Sequence, residues 1–285
     1  MLSQTQSQIR LNRNFVNKQL DFAQVKLINE ADPPPFTILN ANGKASMLLV
    51  CDHASSAIPL SMGNIGLDKS VFKLHVAWDI GAEAVTRLLS EKLDAMGVLA
   101  GYSRLLIDVN RQPGDYGSIP EKSDTIFIPG NLELNEEQRL ARVESFFWPY
   151  HQSVSKALAH LWQRGPVPAL FSVHSFTPSL GGNKRPWDIG VLWNRDARLA
   201  TPLLKKLRAI ESGRYYVGDN EPYSGREFGY TIDIHAGVTG LPNCAIEIRQ
   251  DLIDTPIGAK YWANTLADVL KEILANDSMH RTERF

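Results

Sequence analysis

Four short polar clusters interrupt or end apolar runs in this sequence: Asp52-His53, Asp108 with Asn110-Arg111, His174-Ser175, and Glu247 with Arg249. Histidines and carboxylates are the residue types that hold a divalent metal. Neutral imidazole binds zinc well, and a catalytic zinc site takes three protein ligands and keeps one position for water. His53 and His174 are the primary candidate ligands, and Asp79, in His75-Val76-Ala77-Trp78-Asp79, is the candidate third. The competing reading is that each histidine only caps its strand through a hydrogen bond. Glu247, inside the apolar run CAIEI, suits a general base or acid. Partial desolvation raises a carboxylate's pKa, and beside a polarised water it can take a proton and hand it to a leaving nitrogen. Its alternative is an ion pair with Arg249, which shares a strand face with it and could equally join the site.

Arg104 and Arg111 offer forked donors for a substrate carboxylate, or else structural salt bridges. Ser175 adjoins His174 and is a candidate substrate contact. His235, in Asp233-Ile234-His235-Ala236-Gly237, is a candidate to stabilise an oxyanion or touch substrate. Tyr223-Ser224-Gly225 leads into the same region, which reads as a lid. His75, His151 and His160, on helical or pre-helical stretches, read as structural, and His280 as solvated in a polar tail. The sequence has no HExxH, CxxC, GxGxxG after a strand, or Walker A motif, so neither a motif-defined metal site nor a nucleotide cofactor is supported. Ser55, Ser56 and Ser175 invite a serine-hydrolase reading, but no GxSxG elbow accompanies them.

The elements that must position these residues alternate between strand and helix. Residues 46–51 (SMLLVC) form a continuous apolar run that predicts a buried central strand ending at Asp52-His53. Helical spacing over 81–96 is followed by Gly97 as a stop. A strand is expected over 98–109, delivering Asp108, Asn110 and Arg111. Residues 113–134, rich in Gly, Pro, Ser and Asp, read as a long loop. A helix is expected over 136–162, kinked or split by Pro149. Further strands are expected at 169–173, 189–193 and 244–248. One helix carries Leu199, Leu203, Leu207 and Ile210 after a cap at Asn194 or Asp196, and a last one spans 257–274. This alternation predicts an α/β three-layer sandwich with a largely parallel mixed central sheet. Residues 1–40, which contain the stiff run Pro33-Pro34-Pro35, read as an N-terminal extension, and 41–285 as a single domain.

Composition narrows the function. A formal net charge of -1 among 30 basic and 31 acidic residues argues against a dedicated nucleic-acid binder. No run approaches the ~20 apolar residues of a membrane-spanning helix. The polar N-terminus lacks the apolar core of a secretory signal, and the two cysteines, Cys51 and Cys244, sit in apolar strands. A cytoplasmic protein with free thiols is the expectation.

The strings CDHASSAIP (51–59), HVAWDIGA (75–82), YSRLLIDVNR (102–111), VHSFTP (173–178) and GLPNCAIEIRQDLI (240–253) together resemble the N-formylglutamate amidohydrolase family over about residues 45–275. The resemblance implies an α/β fold similar to zinc carboxypeptidases and aspartoacylases, and hydrolysis of N-formyl-L-glutamate to formate and glutamate. By the same resemblance His53 and His174 match the first and last metal ligands, Asn110-Arg111 the pair that grips the substrate carboxylate, and Glu247 the catalytic carboxylate. The carboxypeptidase pattern places a glutamate three residues after the first histidine. Here that residue is Ser56, so the third ligand comes from elsewhere, with Asp79 as the choice. The expected function is metal-dependent hydrolysis, with Zn2+ or another divalent metal, of the amide bond of a small anionic N-acyl amino acid. The alternatives are a metal-independent serine-type hydrolase and a non-catalytic binder of an anionic ligand.

Overall fold

The computed structural model describes residues 26–210 and 214–285. Its centre is a seven-stranded sheet of β1 (Phe36–Leu39), β2 (Met47–Cys51), β3 (Met96–Ala100), β6 (Ala169–Phe176), β9 (Ile189–Leu192), β10 (Val217–Asp219) and β11 (Asn243–Arg249). The strand order is β1-β3-β2-β6-β11-β9-β10. Four neighbours, β3-β2-β6-β11, are mutually parallel, β1 and β9 run antiparallel to β3 and β11, and β10 is parallel to β9. Two small hairpins, β4 (Lys122–Ser123) with β5 (Ile126–Phe127) and β7 (Ser179–Leu180) with β8 (Asn183–Lys184), decorate the loops. No described helix is long and apolar enough to cross a membrane.

The helices are α1 (Ala82–Leu93), α2 (Glu136–Arg142), α3 (Trp148–Arg164), α4 (Ala200–Ala209), the single turn α5 (Tyr230–Ile232) and α6 (Pro256–Leu274). All five residues of β2 are buried, as expected when both faces of a parallel strand are covered. Alternation sorts its side chains. Met47, Leu49 and Cys51 join the core under α1, α4 and α6, whereas Leu48 and Val50 join the core under α3. Continuing that period puts Asp52 on the α3 face. Leu170 and Ala245 belong to the α3-side core too, so Ser172, His174 and Glu247, at even spacing from them, share that face. From β2 the chain passes to β3 on one side and later to β6 on the other. The carboxyl ends of β2 and β6 therefore flank a topological switch point, where open α/β sheets form crevices.

Three expectations shift in detail. The first helix stops at Asp94, which is left-handed (φ 51) and returns its N–H to Ser90 and Glu91. Gly97 lies inside β3 rather than ending the helix. The strand expected over 98–109 ends at Ala100. Beyond it, Ser103 Oγ takes the Leu105 N–H (3.2 Å) and Asp108 Oδ1 the Asn110 N–H (2.9 Å). Such local side-chain bonds replace a strand ladder with turns. Residues 36–39, expected within the N-terminal extension, form β1 at the sheet edge; residues 1–25 of that extension lie outside the described residues. The split at Pro149 is present: a π-helical turn over 143–147 separates α2 from α3, and the proline occupies the first turn of α3, where its missing N–H costs nothing.

Candidate active site and metal centre

β2 ends by presenting Asp52 and His53, both buried. The next turn folds back so that the Asp79 N–H donates to the His53 carbonyl (2.9 Å), which seats the Asp79 carboxylate beside the histidine. Gly81 makes that turn possible. Its φ is +83°, and a Cβ there would collide with the Ile253 carbonyl. His174 arrives from β6 directly opposite Glu247 of β11 in the parallel register.

The three candidate ligands meet. His53 Nδ1 and His174 Nδ1 lie 3.2 and 2.9 Å from the same atom, Asp79 Oδ2, and one ligand atom of each residue falls within 4.8 Å of the others. The far side of each ring faces a carboxylate. His53 Nε2 is 2.8 Å from Asp108 Oδ1, and His174 Nε2 is 3.1 Å from Asp52 Oδ2 and 2.9 Å from Ser172 Oγ. An ionised carboxylate only accepts, and each ring stands between two of them, so its hydrogen can lie toward Asp79, toward the outer carboxylate, or on both nitrogens. A cation seated beside Asp79 Oδ2 would take the two Nδ1 lone pairs and leave each Nε2–H to Asp108 or Asp52. The three residues form a buried group that could hold a metal ion, and imidazole and carboxylate are donor types that a divalent metal accepts.

Electrostatics agree with a cation-seeking cluster. Burial opposes ionisation of Asp79, but His53 and His174 outweigh it and hold the carboxyl well below the usual range. Asp108 is likewise held far down, against burial, by His53 and Arg104. For His174 burial favours the neutral ring, yet Asp52 and Asp79 push its pKa well up. Glu247 behaves in the opposite way. Burial, with the Asp79 charge adding, raises it to about 7, and its Oε2 finds no hydrogen-bond partner among the described residues. A carboxyl poised near neutrality with an unused oxygen is suited to exchanging protons.

These groups line one cavity of about 230 Å³, a size for a small molecule. Arg104 bridges Asp79 Oδ1 (3.2 Å) and Asp108 Oδ2 (3.3 Å). Arg111 gives its Nε to Asp108 Oδ2 (3.2 Å) and lies over the Phe228 ring. Asn110 also lines the cavity. Its Oδ1 accepts the Thr231 N–H (3.0 Å), which leaves the amide nitrogen as a donor. Ser175 lines the cavity as well, but its hydroxyl donates to the Ile80 carbonyl (2.8 Å) and its N–H points at Asp79 Oδ2 (3.4 Å).

Two sequence candidates lie elsewhere. The π-helical turn Asp233–Gly237 directs His235 at α3, where its Nε2 is 2.9 Å from His151 Nδ1. His151 Nε2 in turn donates to the Val109 carbonyl (2.8 Å), so His235 supports the Asn110 turn from behind rather than facing the cavity. Arg249 stands at the end of β11, where Asp188 (2.9 Å) and Asp251 (2.7 Å) take its guanidinium. His280 is half-buried with both ring nitrogens on backbone carbonyls, those of Val167 and Leu274, rather than solvated. Ser172, His174 and Asp79 have the connectivity of a nucleophilic triad, but Ser172 is 1% exposed and donates to Asp52 (3.2 Å). Ser55 accepts the Ala57 N–H (3.1 Å).

Sequence reasoning assigned no role to Asp52 and Asp108 behind the histidines or to the cavity-lining Thr177 and Phe228, and it read His75, which also lines the cavity, as structural. Tyr223, expected only in a lid, lines the cavity too, and its phenol oxygen accepts from Arg185 (2.8 Å). The one available signal was the polarity of Asp52 and Asp108 inside otherwise apolar runs.

Among solved structures, this one is similar to a gene product of Agrobacterium tumefaciens, with 38% identity and a TM-score of 0.84 over 87% of this chain and 98% of that one. It also shares its fold with an N-formylglutamate amidohydrolase from Ralstonia eutropha, at 20% identity and a TM-score of 0.59 over 85% and 97% of the two chains. No curated protein matches the sequence. The family model described as N-formylglutamate amidohydrolase matches residues 45–254, a span that holds every one of the cavity residues from His53 to Glu247. This chain belongs to the N-formylglutamate amidohydrolase family.

Proposed function

We propose that the protein is a metal-dependent amidohydrolase that cleaves the amide or formamide bond of a small, anionic N-acyl amino acid such as N-formyl-L-glutamate. The observation that carries this reading is the convergence of His53 Nδ1, His174 Nδ1 and Asp79 Oδ2 beside the unpaired oxygen of Glu247. His53, His174 and Asp79 would hold the metal, with Zn2+ the first choice for this donor set. When bound, such a metal acidifies water and attracts the oxygen of a polarised carbonyl.

The chain's own residues do the rest. Glu247, raised to about 7, accepts the proton of the attacking water and delivers it to the departing nitrogen, one carboxyl serving as base and then as acid. Arg111 and the Asn110 amide orient the substrate carboxylate, and Phe228 keeps the Arg111 guanidinium over the cavity. Arg104, anchored on both Asp79 and Asp108, balances the acidic cluster and adds positive charge where the oxyanion develops.

The test begins with metal content. Wild-type protein purified without chelator is expected to hold about one zinc per chain, and a His53→Ala, His174→Ala variant to hold none. The wild type is then assayed for release of formate or another acid from a panel of N-acyl amino acids. Protein that takes up no metal even after incubation with Zn2+, or zinc-loaded protein inert on the whole panel, would overturn the proposal.

A further inference from the structure

Asp52 is 2% exposed and lies outside the residues that line the cavity. It nevertheless meets four polar groups of the protein. Oδ1 accepts from the Tyr150 hydroxyl (2.8 Å) and the Thr231 hydroxyl (2.7 Å). Oδ2 accepts from Ser172 Oγ (3.2 Å) and stands 3.1 Å from His174 Nε2. These donors come from α3, α5 and β6, three elements that share few other polar contacts. Burying a carboxylate is costly unless it is matched this fully, so the arrangement requires a reason.

The reason lies in His174. To hold a metal beside Asp79 the ring must carry a single hydrogen, and only the Nε2–H form turns a lone pair toward Asp79. Ser172 alone does not decide between the forms, because a hydroxyl can donate or accept. Asp52 decides twice. It accepts from Nε2–H itself, and it takes the Ser172 hydrogen, which forces the Ser172 oxygen to accept from the same Nε2–H (2.9 Å). Tyr150 and Thr231 hold the carboxylate pointed at the ring through their bonds to Oδ1.

We propose that Asp52 is a positioning residue for the metal: it locks His174 in the Nε2–H tautomer, with Tyr150, Thr231 and Ser172 as the frame that keeps its carboxylate oriented. This inference rests on the metal reading above, and its consequence concerns binding before chemistry. Removing an outer-sphere carboxylate of this kind weakens metal binding by about 10–100-fold.

The experiment uses the full chain and Zn2+ as probe. Zinc affinity of wild type and Asp52→Asn is measured by competition with a chromophoric chelator, after a cooperative thermal transition has shown that the variant is folded. In parallel, the 15N shifts of the histidine rings are read in zinc-loaded wild type, with His174→Gln identifying the His174 signals. The expected result is His174 with hydrogen on Nε2 and metal on Nδ1, and a folded Asp52→Asn variant with zinc affinity reduced ~10–100-fold. Equal zinc affinity in folded wild type and variant overturns the role of Asp52 while leaving the metal site standing. Should the variant not fold, the wild-type spectrum decides, and hydrogen on Nδ1 of His174 in the zinc-loaded protein overturns it. Wild type without zinc affinity overturns the metal reading itself, a failure recognisable before any variant is made.

Discussion

Replacing Glu247 by Gln separates proton transfer from fold stability, because the two respond in opposite directions. Gln keeps the size of the side chain and its neutral polarity but cannot exchange a proton. In the metal-free protein the Glu247 carboxyl is raised from its ordinary 4.5 to about 7, burial being the main cause. Below the unfolded value both states hold the proton, so wild type and variant have similar stability. As pH rises through the folded value, the native wild type must ionise a buried carboxyl, and stability present in acid is lost. At ~1.4 kcal/mol for each pH unit between the two values, the loss is on the order of 3 kcal/mol. The variant escapes it. Urea unfolding of chelator-treated proteins should therefore give nearly equal free energies at about pH 4, and a Gln variant more stable by up to roughly 3 kcal/mol at about pH 8. Turnover of the zinc-loaded variant should meanwhile fall by about 10²–10⁴-fold, the usual contribution of a positioned acid–base group. Two stability curves that run parallel from acid to base would refute the desolvated carboxyl. Unchanged turnover would refute the assignment of the proton to Glu247.

Other perturbations test neighbouring parts of the argument. Arg111→Ala should raise KM for an anionic substrate more than it lowers kcat, by roughly 10–100-fold for a lost charged hydrogen bond, while zinc content stays unchanged; an equal loss in kcat alone would move Arg111 from binding to chemistry. Gly81→Ala places a Cβ against the Ile253 carbonyl at φ +83°, so a loss of about 2 kcal/mol or more is expected by thermal unfolding, together with weaker zinc binding through a displaced Asp79. His235 is held near 4 by burial and by His151, so its protonation in the unfolded chain should cost stability as pH falls from about 6.5 to 4, by at most ~3 kcal/mol. His235→Phe should remove that acid-dependent part of the loss in urea titrations, and a variant with an unaltered pH profile would disprove the neutral His151–His235 pair.

Much of this protein was legible from residue order. Continuous apolar runs at 46–51, 169–173 and 244–248 are written into the chain because parallel strands are buried on both faces, and each ends or breaks at a residue that reaches the cavity: His53, His174, Glu247. Helical spacing marked α1, α4 and α6 for the same reason, an apolar stripe every 3.6 residues. Asp79 was a choice among several carboxylates, with no local pattern to single it out. What the sequence could not determine is which side of each ring faces which carboxylate. His53 meets Asp108 across 55 residues, and Asp52 meets Tyr150 across 98 and Thr231 across 179. Such contacts are set by strand order and by which element crosses the sheet, and no local pattern carries that information. Arg249 illustrates the limit from the other side. The strand period places it on the Glu247 face, yet two residues farther along β11 is far enough for Asp188 and Asp251 to claim it. His235 does so too, since a π-helical turn rotates it away from the cavity and onto His151. Local chemistry, then, is readable where burial imposes a period on the chain. The convergence of two imidazole Nδ1 atoms on one carboxylate oxygen exists only once β2, β6 and the turn at Gly81 have been brought together in three dimensions.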